Sequence, residues 1–177
     1  VPDLIARSLR GGTDATIGLV VESIADPFFS ELVAAVESAS SDAGKSVLVA
    51  STRADAGREL RVVTELLRRR VSGLLVVPTA SDHSWLARAA APLVLVDRRA
   101  EGLDADMVGT DDKRAAFDAV AHLIAHGHRD IAYVGDYSRV STSAARLAGY
   151  REAMAHYGLL VHDELVHADC PTARAAS

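Results

Sequence analysis

The sequence predicts an α/β protein built from doubly wound parallel sheets in two lobes, with the second lobe incomplete. Short apolar runs rich in Val, Ile and Leu recur between amphipathic segments, which is the alternation of βαβ units. Asp, Pro or Gly marks most of the junctions between them. The alternation pauses near residues 100–108 and then restarts, which divides the chain into lobes.

The first residues, Val1 to Arg10, read as a short helix started by Pro2-Asp3 and ended by Gly11-Gly12. A helix this short is marginal alone in water and needs a surface to fold against. Thr16 to Val21 then forms an apolar run suited to a strand buried on both faces. The run breaks at Ser23. Asp26 fits an N-cap and Pro27 the first helical position, where a missing N–H costs nothing. The helix that follows carries Phe29, Leu32, Val33, Val36 and Ala39 on one stripe. Phe28 and Phe29 therefore flank a strand-to-helix turn, the end of an open parallel sheet at which ligands sit. Both can stack on a flat ring or a sugar face. Phe29 also lies on the stripe, so core and site are both open to it.

A second strand is expected at Ser46 to Ala50. The next helix, roughly Gly57 to Arg70, has Leu60, Val63, Leu66 and Leu67 on one face and Arg68-Arg69-Arg70 at its end, where cations complement the macrodipole. A strand at Gly73 to Val77 stops at Pro78. A helix near Ser84 to Ala90 and a strand at Leu93 to Val96 follow, the strand ending at Asp97. After the pause, Asp111-Asp112 caps a helix with Phe117, Val120, Leu123 and Ile124 inside, and Gly127 ends it. Ile131 to Val134 reads as a strand, about Ala144 to Tyr157 as a helix, and Leu165-Val166 as the start of another strand. The boundaries expected are a hinge helix and linker at 1–12, a first lobe at 13–100 and a partial second lobe at 101–177. The second lobe has too few strands to close its sheet, which leads to the expectation of a fragment.

Composition narrows the classes. Of 177 residues, 49% are hydrophobic and 24% charged, which suits a soluble globular protein. The net charge of −5 argues against a broadly basic nucleic-acid surface, though not against a local basic arm. One cysteine, Cys170, excludes an internal disulfide and suits the cytoplasm. No apolar run is long enough for a membrane span, and the start does not read as a signal peptide.

In order along the chain, Leu4-Ile5-Ala6-Arg7-Ser8-Leu9-Arg10, Thr16 to Val21 with Asp26-Pro27-Phe28-Phe29, Arg70-Val71-Ser72-Gly73-Leu74-Leu75, Val94 to Arg98, His122 to Arg129 and Arg146 to Arg151 resemble the LacI/GalR family of bacterial transcription regulators. The resemblance covers essentially the whole chain. It implies a two-lobed effector domain like that of periplasmic sugar-binding proteins, a homodimer, and an upstream DNA-binding headpiece. It further implies that the effector, a small sugar or sugar-like molecule, is bound by Phe28, Phe29, Asp97 and Arg146. Leu9 would wedge into the minor groove of operator DNA, with Ala6 against the groove and Arg7 and Arg10 on phosphates. Asp111-Asp112 departs from the family's usual Asp-Asn pair, which puts the second position's role in question. An alternative to the effector clamp is that Arg146 and Asp97 pair with each other.

No G-x-S-x-G, phosphate-cradling glycine loop or H-E-x-x-H is present, so an enzyme is not expected, nor a cofactor. His122 and His126 have metal-compatible spacing without a completing ligand nearby, so no metal is expected. The competing class is a periplasmic sugar-binding protein of a transporter.

Overall fold

The computed structural model describes residues 16–79, 82–89, 91–135 and 141–168. These fall into two compact units, the first ending at Val108 and the second beginning at Gly109.

The first unit is a five-stranded parallel sheet in the order β2-β1-β3-β4-β5. Its strands are β1 (Thr16–Val21), β2 (Ser46–Ser51), β3 (Gly73–Val76), β4 (Leu93–Val96) and β5 (Asp106–Val108). The register aligns Ile17 with Val47 and with Gly73, and Val94 with Asp106. The period of two along a strand divides the side chains between the faces. Leu19, Val21 and Val77 pack with Phe29, Leu32, Val33 and Val36 of α1 (Pro27–Asp42). Val20, Leu74 and Val76 pack with Val63 and Leu66 of α2 (Ala56–Arg68) and with Leu86. The sheet is therefore covered on both faces, as the continuous apolar run of β1 requires. Asp26 caps α1 as expected, its carboxylate accepting from the Phe28 N–H at 2.9 Å with Pro27 in the first turn.

Several expectations change. In α1, Ala39 is exposed and Ser40 takes the buried place. In α2 the expected stripe holds at Val63 and Leu66 but not at its first place: Leu60 is 46% exposed, while Glu59 is buried. Positions 59, 63 and 66 form a helical row, and a hydrogen-bonded carboxylate fills its first place. Ser84–Arg88 is a 3-10 turn, not an α-helix. Its N-cap His83 gives no side-chain cap, and Ala89 is already extended (ψ 131°) ahead of Pro92, so the turn cannot propagate.

The second unit contains α3 (Asp112–Ala125) and α4 (Ser141–His156) with a short parallel pair, β6 (Tyr133–Val134) and β7 (Val166–His167). Val120, Ile124, Ile131, Tyr150, Ala153 and Met154 form its core. Leu123, expected inside, is 39% exposed. Ile131 is buried, but the strand itself begins only at Tyr133. Gly127 has φ +94° and follows the α3 C-cap, the conformation that glycine adopts without strain. Gly149 of α4 lies against α3: a side chain there would collide with the Lys113 carbonyl oxygen.

Candidate functional site

In a parallel sheet every strand delivers its carboxyl end to the same edge. In the first unit that edge carries Glu22 and Ser23 after β1, Thr52 after β2, Val77 to Thr79 after β3 and Asp97 after β4. Phe28 stands beside it and is 54% exposed, whereas Phe29 is 4% exposed and belongs to the core. Their rings meet edge to face, with centroids 5.1 Å apart. Phe28 is thus the aromatic surface on offer, and Phe29 backs it.

Asp97 adopts a left-handed backbone (φ +66°) where the chain leaves β4. Its N–H donates to the Val108 carbonyl at 2.8 Å, which ties the turn to β5. Beside it, the Arg98 guanidinium is nearly buried. Arg98 Nη1 donates to Glu22 Oε2 at 2.7 Å and lies 3.4 Å from the Pro78 carbonyl. Arg98 Nε is 3.3 Å from Asp97 Oδ2, an ion-pair distance, but the alignment is too poor for a hydrogen bond. The guanidinium also sits 5.9 Å from the Phe29 ring centroid, within cation–π range. Carboxylates on two sides and an aromatic face below hold it in place. A guanidinium so held, with an exposed phenyl ring nearby, suits a small polar molecule with one flat apolar face.

Behind this edge lies a polar cluster that the sequence reading did not anticipate. The side chains of Glu59 and His83 are each 1% exposed and are hydrogen-bonded to one another through Glu59 Oε1 and His83 Nε2. Glu59 Oε2 accepts from the Thr79 N–H at 2.7 Å, and the Thr79 and Thr52 hydroxyls are 2.9 Å apart. The cluster fastens α2 to the segment that follows β3. A glutamate one place from an apolar residue gives no sign in sequence that it faces inward.

In the second unit, Asp111 caps α3 by accepting from the Arg114 N–H at 3.0 Å. Asp112, next to it, is buried and accepts from Arg146 Nε at 2.6 Å. Arg146 itself keeps half of its side chain exposed. Burial pushes the Tyr133 phenol above its ordinary value, and the Arg146 charge opposes that shift. Glu22 and Arg98 in the first unit, and Asp112 in the second, are charged partners that sequence reasoning did not assign to a site. The Asp-Asp doublet was the available signal, since a cap needs only one of the two. The hinge residues Ala6, Arg7, Leu9 and Arg10 lie outside the described residues.

The family of periplasmic binding proteins and sugar-binding domains of the LacI family matches residues 14–177. The chain belongs to this family of periplasmic binding proteins and LacI-family sugar-binding domains. The GalR transcriptional regulator of Escherichia coli K12 is 33% identical over 93% of the chain and 49% of its own length. The PurR repressor of Photobacterium profundum is 30% identical over 93% of the chain and 51% of its own length. The chain therefore spans about half the length of the curated relatives it matches. A LacI-family sugar-binding transcriptional regulator from Escherichia coli, solved with phosphate, superposes with a TM-score of 0.71 at 28% identity, covering 88% of this chain and 58% of that one. CcpA of Lactococcus lactis shares the fold, with a TM-score of 0.80 at 22% identity, over 90% of this chain and 60% of its own. Like these LacI-family domains, the chain has parallel α/β architecture. Among its described residues no helix is long and apolar enough to cross a membrane.

Proposed function

We propose that this chain is the effector-binding core of a LacI-family transcriptional regulator, a repressor that responds to a small sugar or sugar-like molecule. The observation that carries the reading is the carboxyl edge of the first sheet in a family of sugar-binding domains: exposed Phe28 packs on Phe29, whose ring lies 5.9 Å from the Arg98 guanidinium, and Arg98 is paired with Asp97. In this reading Phe28 stacks on the sugar face, backed by Phe29. Asp97 accepts from vicinal hydroxyls, and Arg146 of the second unit presents a planar fork of donors. Ala6, Arg7, Leu9 and Arg10 form the hinge that engages operator DNA through a headpiece in the longer protein. The active species is a cytoplasmic homodimer without catalytic activity or cofactor. Exposed Leu60 of α2 and Leu48 and Val49 of edge strand β2 are apolar surface suited to the dimer contact. Effector binding favours one conformation and so orders or releases the hinge; linkage permits either sign.

A mobility-shift assay with the longer natural protein and its upstream DNA, with and without a sugar panel, tests the reading. Sugar-dependent retention is expected, lost in Arg146→Ala. A protein that binds sugar but no DNA is instead a transporter-type binding protein.

A further inference from the structure

The opposite edge of the first sheet, where its parallel strands begin, gathers cations. Lys45 precedes β2, and Arg68, Arg69 and Arg70 close α2 just ahead of β3. Thr16, the first residue of β1, lies between them. It is in register with Ser46, and its carbonyl oxygen accepts from the Ser72 N–H at 2.8 Å and the Ser72 hydroxyl at 2.9 Å. All four cations are exposed. Arg69 Nε is held by Glu65 at 3.1 Å, whereas Lys45, Arg68 and Arg70 have no ion pair among the described residues. The α2 macrodipole accounts for Arg68 in the last turn and Arg69 at the cap, but not for Arg70 beyond them. Arg70 also has a left-handed backbone, φ +55°. At the same place after α1, α3 and α4, two residues past the last helical one, stand Gly44, Gly127 and Gly158, with φ of +68°, +94° and +67°. Glycine takes that conformation without strain; α2 puts an arginine there instead. A backbone cost retained at an exposed, unpaired cation is a sign that the charge is used. The segment that would meet operator DNA enters the core at this edge. Six residues lead from Arg10 to Thr16, a reach of about 20 Å at most, so this is the part of the core nearest the duplex. Duplex DNA carries a phosphate charge about every 1.7 Å along its axis, and such charges are met by Lys and Arg without reading sequence. We propose that Lys45, Arg68 and Arg70 form a second DNA contact on the core itself, binding backbone phosphates beside the operator whatever their sequence. The inference rests on the regulator reading above and adds a contact surface to it.

The test is titration of the longer natural protein with its upstream DNA and with a scrambled duplex of equal length, at salt from about 50 to 200 mM. The variants are Lys45→Gln with Arg68→Gln and Arg70→Gln, Arg68→Lys with Arg70→Lys, and Arg70→Gly alone. In the triple glutamine variant the slope of log affinity against log salt should become shallower by about 3 for each protomer bound, one for each phosphate contact removed. Both duplexes should be weakened by the same factor, since the contact reads no bases. The lysine pair keeps the charge and should keep the slope. Arg70→Gly relieves the left-handed backbone, so it should melt no lower than the wild type, yet lose about 1 of slope per protomer. That variant decides the matter alone if the triple variant does not fold. Unchanged slopes and affinities in the glutamine and glycine variants overturn the inference and leave the arginines to the helix end. A loss confined to the upstream DNA overturns it too, because the contact would then read sequence. A longer protein that binds neither duplex overturns the regulator reading, and the inference with it.

Discussion

Phe28 and Phe29 are neighbours in sequence and end in opposite environments, 54% and 4% exposed. The helical stripe left Phe29 open to both core and site; it packs in the core, because α1 must cover the sheet. Phe28→Ala should weaken sugar binding by about tenfold through lost stacking, with little change in melting temperature. Phe29→Ala should cost about 3–5 kcal/mol of stability, measured by urea denaturation, because it empties a packed site. The Asp26-Pro27 cap and Asp97 at the end of β4 were equally legible, since each follows from local chain chemistry. The partners of the charged groups were not. Glu22 meets Arg98 from 76 positions away, and Asp112 meets Arg146 from 34. Such pairings are products of the fold, and no local spacing rule reports them.

At the scale of elements, the alternation of strands and helices was readable because burial on both faces demands continuous apolar strands. What escaped was polar burial. Glu59 takes an inward place on α2 because His83 and the Thr79 N–H satisfy its carboxylate. Removing one partner of a buried pair strands the other. His83→Ala should therefore cost about 3–5 kcal/mol in urea denaturation. The α3–α4 contact makes a second prediction. A methyl group on residue 149 would collide with the Lys113 backbone carbonyl, so Gly149→Ala must push the helices apart. A loss of about 1–3 kcal/mol or more is expected, with the far-ultraviolet spectrum preserved.

For the molecule as a whole, each unit has its own core, and the response to pH can be read from buried groups. Tyr150 donates its hydroxyl to the Ile131 carbonyl at 2.9 Å, and burial raises its pKa above the ordinary 10.0. Tyr133 is raised for the same reason. A raised folded-state value means that the unfolded chain loses these protons first. Their contribution is complete below about pH 10 and fades above it, until the folded phenols also ionise. Melting temperature should fall more steeply above about pH 10 in the wild type than in Tyr150→Phe, read by scanning calorimetry. The central claim is that this chain is a sugar-effector core whose ligand meets the carboxyl edge of the first sheet and Arg146. Amide-resolved NMR titration with unphosphorylated sugars tests it most directly. The account predicts shifts concentrated at Glu22 to Phe28, at Asp97 and Arg98, and around Asp112 and Arg146. Shifts confined to other surfaces, or none at tens of millimolar sugar (roughly the weakest binding of interest), would contradict it.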